Sequence, residues 1–215
     1  MAKAKKKLDK TYVHFVVDQS GSMANIGSTE VVNSINAFIE TVAASGDVTF
    51  GITFFDSVEP QLHVRKVAKA KEAMLEAKEY NPRGATPLFD AIGQSISYIG
   101  SNVELEKDEI VSFVVMTDGH ENTSQEFTKP LIKKLLDEKQ QKHDWLVTYL
   151  GANQDGMAEG GSLGFAQKTS ASWTVNNFGS TVAMAAGKTA EYSVMRGSAS
   201  VNYTDQERSS MTKED

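Results

Sequence analysis

Tyr12-Val13-His14-Phe15-Val16-Val17 runs straight into Asp18-Gln19-Ser20-Gly21-Ser22. Six successive residues that are mostly β-branched or aromatic predict a strand buried on both faces, as in a parallel sheet. Where the strand stops, one carboxylate and two hydroxyls follow at intervals of two residues. Ligands of open α/β sheets bind at the carboxyl ends of the strands. Asp18, Ser20 and Ser22 offer only oxygen, a donor set suited to a hard cation such as Mg²⁺.

The same design recurs downstream. Ile110 to Met116 is a second apolar run, and it ends in Thr117-Asp118-Gly119. Val48 to Phe55 and Trp145 to Leu150 read as two further buried strands. Between them, Val31, Ile35, Phe38, Ile39 and Val42 follow the helical period, as do Leu88, Ile92, Ile96, Ile99 and Val103. Leu131, Ile132, Leu135 and Leu136 mark another helix over 129–142. The short Asp56-to-Pro60 connection predicts a hairpin, with 61–67 as an antiparallel strand whose exposed start tolerates Pro60. The Ala/Lys/Glu-rich stretch 69–80 has the propensity of a helix. Later, a short helix near 154–161, a strand near 168–175 and a helix near 180–195 complete the pattern. Strands alternating with amphipathic helices predict an α/β fold: a doubly wound, mostly parallel, Rossmann-like sheet with one antiparallel edge strand and helices on both faces. The expected layout is a basic arm over 1–10, one domain over 11–196 and a polar, loosely attached tail over 197–215.

Composition narrows the function. With 215 residues, 40% of them hydrophobic, 23% charged and a formal net charge of −6, the chain lacks the basic face of a general nucleic-acid binder. No run approaches the roughly 18 apolar residues of a membrane span. The absence of cysteine excludes disulfides and thiolate metal sites, and fits a cytoplasmic protein best. Without cysteine or clustered histidine, zinc is not the expected ion.

Taken singly, the motifs have ordinary readings. Thr86-Pro87 is a plausible helix N-cap with Pro at the first helical position, and Ser20-Gly21-Ser22 and Asp118-Gly119 read as turns. His14 reads as a hydrogen-bonded core residue, and His63 and His143 as surface residues. Taken together, DQSGS, GATPLFDAI and MTDGHEN, in that order and at these distances, resemble the von Willebrand factor A domain with its metal-ion-dependent adhesion site. The likeness covers Thr11 to Val194 and is nearer to the compact, stand-alone domains of bacteria and phages than to animal adhesion receptors. It implies that Ser20, Ser22 and Thr86 give hydroxyl oxygens to one Mg²⁺ (Mn²⁺ the alternative), with Asp18 and Asp118 binding directly or through water. Gln19, Gly84, Ala85, His120 and Glu121 are then expected to line a partner-binding rim.

Neutral hydroxyls leave the charge of such an ion largely unquenched, so it can capture an Asp or Glu side chain of a partner protein. An AAA+ ATPase or an assembly system is the kind of partner that bacterial relatives suggest. Two other functions compete: a scaffold subunit whose metal only ties loops together, and a hydrolase. An aspartyl nucleophile would need a second carboxylate near it, and the position two after Asp18 is Ser20. DQSGS is not the Gly-x-Ser-x-Gly elbow either, and the chain is read as a non-enzyme. By the same resemblance, the last helix slides along the body when ligand binds; its small residues Ala183, Ala185, Ala186 and Gly187 would ease that motion and would equally allow one close, rigid packing on the sheet.

Overall fold

A computed structural model describes residues 10–59, 63–152, 156–195 and 201–212. Six strands form one sheet: β1 (Lys10–Asp18), β2 (Asp47–Phe55), β3 (His63–Lys69), β4 (Ile110–Thr117), β5 (Leu146–Ala152) and β6 (Ser170–Trp173). Their order is β3-β2-β1-β4-β5-β6. Every pairing is parallel except that of β3, which runs antiparallel to β2 at the edge. The expected doubly wound sheet is therefore what the chain adopts. Pro60 to Leu62 lie outside the described residues, as does all of the basic arm except Lys10, which opens β1.

Side-chain alternation sends β1 to both faces. Val13, Phe15 and Val17 join one core cluster, with Val31, Ile35 and Phe38 of α1 (Ser28–Ala43) and Val182, Ala185 and Ala186 of α6 (Phe178–Met195). Tyr12 and Val16 join the other, with Leu88, Ile92 and Ile96 of α3 (Leu88–Asn102) and Ile132 and Leu136 of α4 (Lys129–His143). Leu163 of α5 (Gly156–Leu163) closes this second layer. Both faces of β1 are buried, as its unbroken apolar run requires. His14 is buried as expected, with Tyr12 Oη 2.9 Å from Nδ1 and Thr53 Oγ1 3.0 Å from Nε2.

Two elements differ from the sequence reading. The stretch 69–80 is not one helix. Lys69 still belongs to β3, α2 is the single turn Ala70–Ala73, and a 3₁₀ turn follows at Ala77–Glu79. The break comes from tertiary contacts. Asn36 on α1 donates to the Leu75 carbonyl and accepts from its N–H, both at 2.9 Å, and Leu75 and Tyr80 are buried. Extended backbone between two short turns satisfies these contacts and a continuous helix does not, so burial overrides propensity.

The segment after Gly197 is not loose over its described part. Val201, Tyr203 and Met211 are buried, and α7 (Asp205–Met211) packs beside β6. Arg208 donates to the carbonyls of Gln167, Lys168 and Ser170 at that edge of the sheet.

Candidate metal centre

The strand order reverses between β1 and β4, so the connections leaving them diverge and a crevice opens at their carboxyl ends. Asp18 is the last residue of β1 and Asp118 follows the last residue of β4, which puts both carboxylates at that crevice. Asp18 is buried. Its Oδ1 accepts the Ser20 N–H at 2.7 Å, its Oδ2 accepts the Thr117 hydroxyl at 2.6 Å, and its carbonyl accepts Tyr80 Oη at 2.6 Å. The Ser20 and Ser22 hydroxyl oxygens lie 3.1 Å apart, and Ser22 donates to Asp118 Oδ1 at 2.7 Å.

Thr86 reaches the same place from the third loop. A Cβ placed on Gly119 would lie 3.2 Å from Thr86 Oγ1 and 3.9 Å from Ser22 Oγ, so Asp118-Gly119 passes close under both hydroxyls. Thr86 does not cap α3; Pro87 holds the N-cap position and makes no side-chain cap bond. The Thr86 backbone is instead clamped by Asn122, whose Oδ1 accepts the Thr86 N–H at 2.9 Å and whose N–H donates to the Thr86 carbonyl at 3.2 Å.

Five oxygen-bearing side chains thus converge: two carboxylates and three hydroxyls. Among the described residues, no group of three His, Cys, Asp or Glu could hold a metal, so any ion here depends on the hydroxyls. Burial pushes the Asp18 carboxyl up to about 6, the bonds from Thr117 and Ser20 opposing it and the nearby Asp118 adding to it. Burial also raises Asp118 above the ordinary carboxylate range, against the bond from Ser22. Two carboxylates that resist ionisation, with all-oxygen neighbours, fit a hard divalent cation, which would favour their charged forms.

The surroundings hold these loops in place. Gln19, expected on the contact rim, is buried, and its side chain donates to Asp56 Oδ2 at 2.9 Å and accepts from the Asn81 N–H at 3.2 Å. Glu121, also expected there, caps α3: its carboxylate accepts the N–H groups of Phe89, Thr123 and Ser124 at 2.9, 2.8 and 2.6 Å. Asp90 on α3 reciprocates by accepting the N–H groups of Gln125, Glu126 and Phe127. Gly84 sits at φ +69° with Ser57 Oγ 2.8 Å from where a Cβ would be, a backbone conformation and a gap that suit glycine. Its carbonyl accepts the Gly21 N–H at 3.1 Å. Ala85 exchanges bonds with Ser57 through its N–H and carbonyl. His120 is exposed, its side chain 76% accessible, and pairs with Glu159 of α5.

Sequence reasoning passed over Thr117, Asn122, Asp56 and Asp90. Thr117 and Asp56 were open to discovery as polar residues terminating apolar runs, the same signal that marks Asp18.

No protein-family model matches the chain, and no curated protein matches it. Solved structures do. A von Willebrand factor type A protein from Catenulispora acidiphila superposes with a TM-score of 0.54 at 12% identity, over 88% of this chain and 43% of that one. The chain has the von Willebrand factor A fold. The pilus adhesin SpaC of Lactobacillus rhamnosus GG shares this A fold at TM-score 0.69 and 13% identity, over 86% of this chain and 31% of that one. Proximal thread matrix protein 1 of the mussel byssus, solved with a zinc-occupied MIDAS motif, matches at TM-score 0.63 and 15% identity, over 85% of this chain and 48% of that one. This A-fold chain spans less than half the length of each of those three. Among its described residues, no helix is long and apolar enough to cross a membrane.

Proposed function

We propose that the rim of this A fold is a protein-binding site built on one divalent cation, Mg²⁺ in the first instance, held by Asp18, Ser20, Ser22, Thr86 and Asp118. The observation that carries the reading is the continuous row Ser20 Oγ, Ser22 Oγ, Asp118 Oδ1, with 3.1 and 2.7 Å between neighbours, at the strand-order switch point. Bound there, the cation supplies an electrophilic centre that attracts a carboxylate from a partner. The chain's own residues supply the rest. Ser22 is exposed and presents the solvent side, while buried Asp18 and Ser20 form the floor.

Two features favour binding over the alternatives. The loops are already cross-linked by Asp56, Asp90, Glu121 and Asn122, so an ion is not needed to tie them, which argues against a purely scaffolding metal. Ser22 donates to a carboxylate and His120 is engaged by Glu159, which is not the serine–histidine geometry of a hydrolase. Neighbours of the same fold include a pilus adhesin and a thread matrix protein, which supports an adhesive or assembly role. An AAA+ ATPase partner and a cytoplasmic setting are the further readings of the sequence.

The test is affinity capture with wild-type protein and Asp18→Ala, each with Mg²⁺ and with EDTA. Partners retained only by wild type and only with Mg²⁺ are the expected result. The same set captured in all four conditions would rule the reading out. A zinc arm belongs in the experiment, because the mussel neighbour holds zinc in its motif.

A further inference from the structure

Asp56 follows the hairpin strand β2 and contributes nothing to the row of hydroxyls, yet its carboxylate accepts four hydrogen bonds. Its side chain is 2% exposed. Oδ1 accepts the N–H groups of Val58 and Glu59 at 2.7 and 3.0 Å, and Oδ2 accepts Gln19 Nε2 at 2.9 Å and Arg83 Nε at 3.1 Å. Gln19 is held as tightly. Its N–H donates to the Phe55 carbonyl and its own carbonyl accepts the Arg83 N–H, both at 2.8 Å, while its side chain spans Asp56 and Asn81. Three chain segments meet at one buried carboxylate: 18–22, which carries Ser20 and Ser22; 56–59; and 81–86, which carries Thr86.

We propose that Asp56, acting through Gln19 and Arg83, is a positioning residue for the metal centre, setting the spacing between the Ser20/Ser22 hydroxyls and Thr86. The proposal rests on the metal reading of the rim. Each partner reaches Asp56 from a different loop, so a change there shifts the loops relative to one another and not one loop alone. Ser20 and Ser22 follow Gln19 within three residues, too few to absorb such a shift. A cation demanding near-octahedral oxygens registers displacements that the hydrophobic core does not. Gln19 is thereby a brace beneath the site, not a surface that a partner touches.

The donor and acceptor pattern supplies a test that mere structural support does not pass. Asp56→Asn turns an NH₂ group toward Gln19 Nε2 and Arg83 Nε, placing donor against donor. Gln19→Glu restores an acceptor opposite that NH₂. Mn²⁺ is titrated into full-length wild type, Asp18→Ala, Asp56→Asn, Gln19→Glu and the double variant Gln19→Glu/Asp56→Asn, with free Mn²⁺ read by electron paramagnetic resonance. Melting temperatures are measured in EDTA alongside. Asp56→Asn is expected to bind Mn²⁺ about tenfold or more weakly even where it is fully folded, its metal-free melting temperature falling because buried donors are left unpaired, and the double variant to bind more tightly than the two single changes combine to predict. A role confined to holding the fold would lower the metal-free melting temperature and leave the affinity of folded protein unchanged; that outcome overturns the proposal. If Asp56→Asn does not fold, Arg83→Gln carries the same comparison, with a several-fold weaker affinity expected and an unchanged one fatal. Wild type that binds Mn²⁺ no better than Asp18→Ala overturns the metal reading itself, and with it this one.

Discussion

Ser22 is exposed, yet its hydroxyl stands between Ser20 and Asp118, so the serine serves the site and not the core. Asp118 is half-buried, with a carboxyl that burial raises above its ordinary range, and removing it deletes a charge the metal-free protein accommodates poorly. Asp118→Ala is therefore expected to keep or raise the melting temperature in EDTA and to lose the rise that millimolar Mn²⁺ gives wild type. Thermal melts with and without Mn²⁺ check both halves. His14 makes a different prediction. Burial holds its imidazole down to about 3, against about 6.5 in an unfolded chain. Between those values the unfolded state binds more protons. The contribution of His14 to stability is thus complete above about pH 6.5 and is lost as pH falls toward 3, with a slope approaching roughly 1.4 kcal/mol per pH unit. Urea unfolding across pH 4–7 should show a steeper decline for wild type than for His14→Gln, and parallel curves would contradict the assignment.

At the scale of elements, the loop after β4 and α3 are locked by reciprocal carboxylate caps, Glu121 on the helix N-terminus and Asp90 on the loop. Glu121→Ala is expected to cost about 1–2 kcal/mol in urea unfolding, the size of a lost cap. Neither cap was legible in the sequence, since each joins residues more than thirty positions apart and leaves no periodic trace. The helix α6 was legible in position but not in the use of its small residues. Ala185 and Ala186 are buried, but Ala183 and Gly187 are exposed, so only half of the stripe lies at the packing surface. Tyr192 bonds the Asp144 carbonyl, and Trp173 meets Phe178 edge-on with ring centres 5.0 Å apart, pinning the helix near both ends. Hydrogen exchange over 178–195 is accordingly expected to be the same with and without Mn²⁺. Faster exchange in EDTA would restore the sliding helix that the adhesion relatives suggest.

Over the whole molecule, β1, β2, β4 and β5 were readable as unbroken apolar runs and α1, α3 and α4 by their helical period. The places where reading failed are those where distant contacts decide. Lys69 to Tyr80 breaks for the sake of Asn36, Leu75 and Tyr80. The docked segment 201–212 is anchored by Val201, Tyr203 and Met211, buried side chains spaced too irregularly to form a pattern. A local signal was nonetheless present there, since Thr204 and Glu207 form a capping box of the T-x-x-E kind. Met211→Ala should cost about 2–5 kcal/mol, as for a core methionine, where a free tail would give no change.

The central claim is the ion at the switch point of the sheet, and anomalous diffraction from crystals grown with MnCl₂ tests it most directly. The account predicts one Mn²⁺ peak within bonding distance of Ser20, Ser22 and Thr86 hydroxyl oxygens and beside Asp118, absent from Asp18→Ala crystals. A well-ordered rim with no anomalous peak there, or a peak only at other carboxylates, would contradict it.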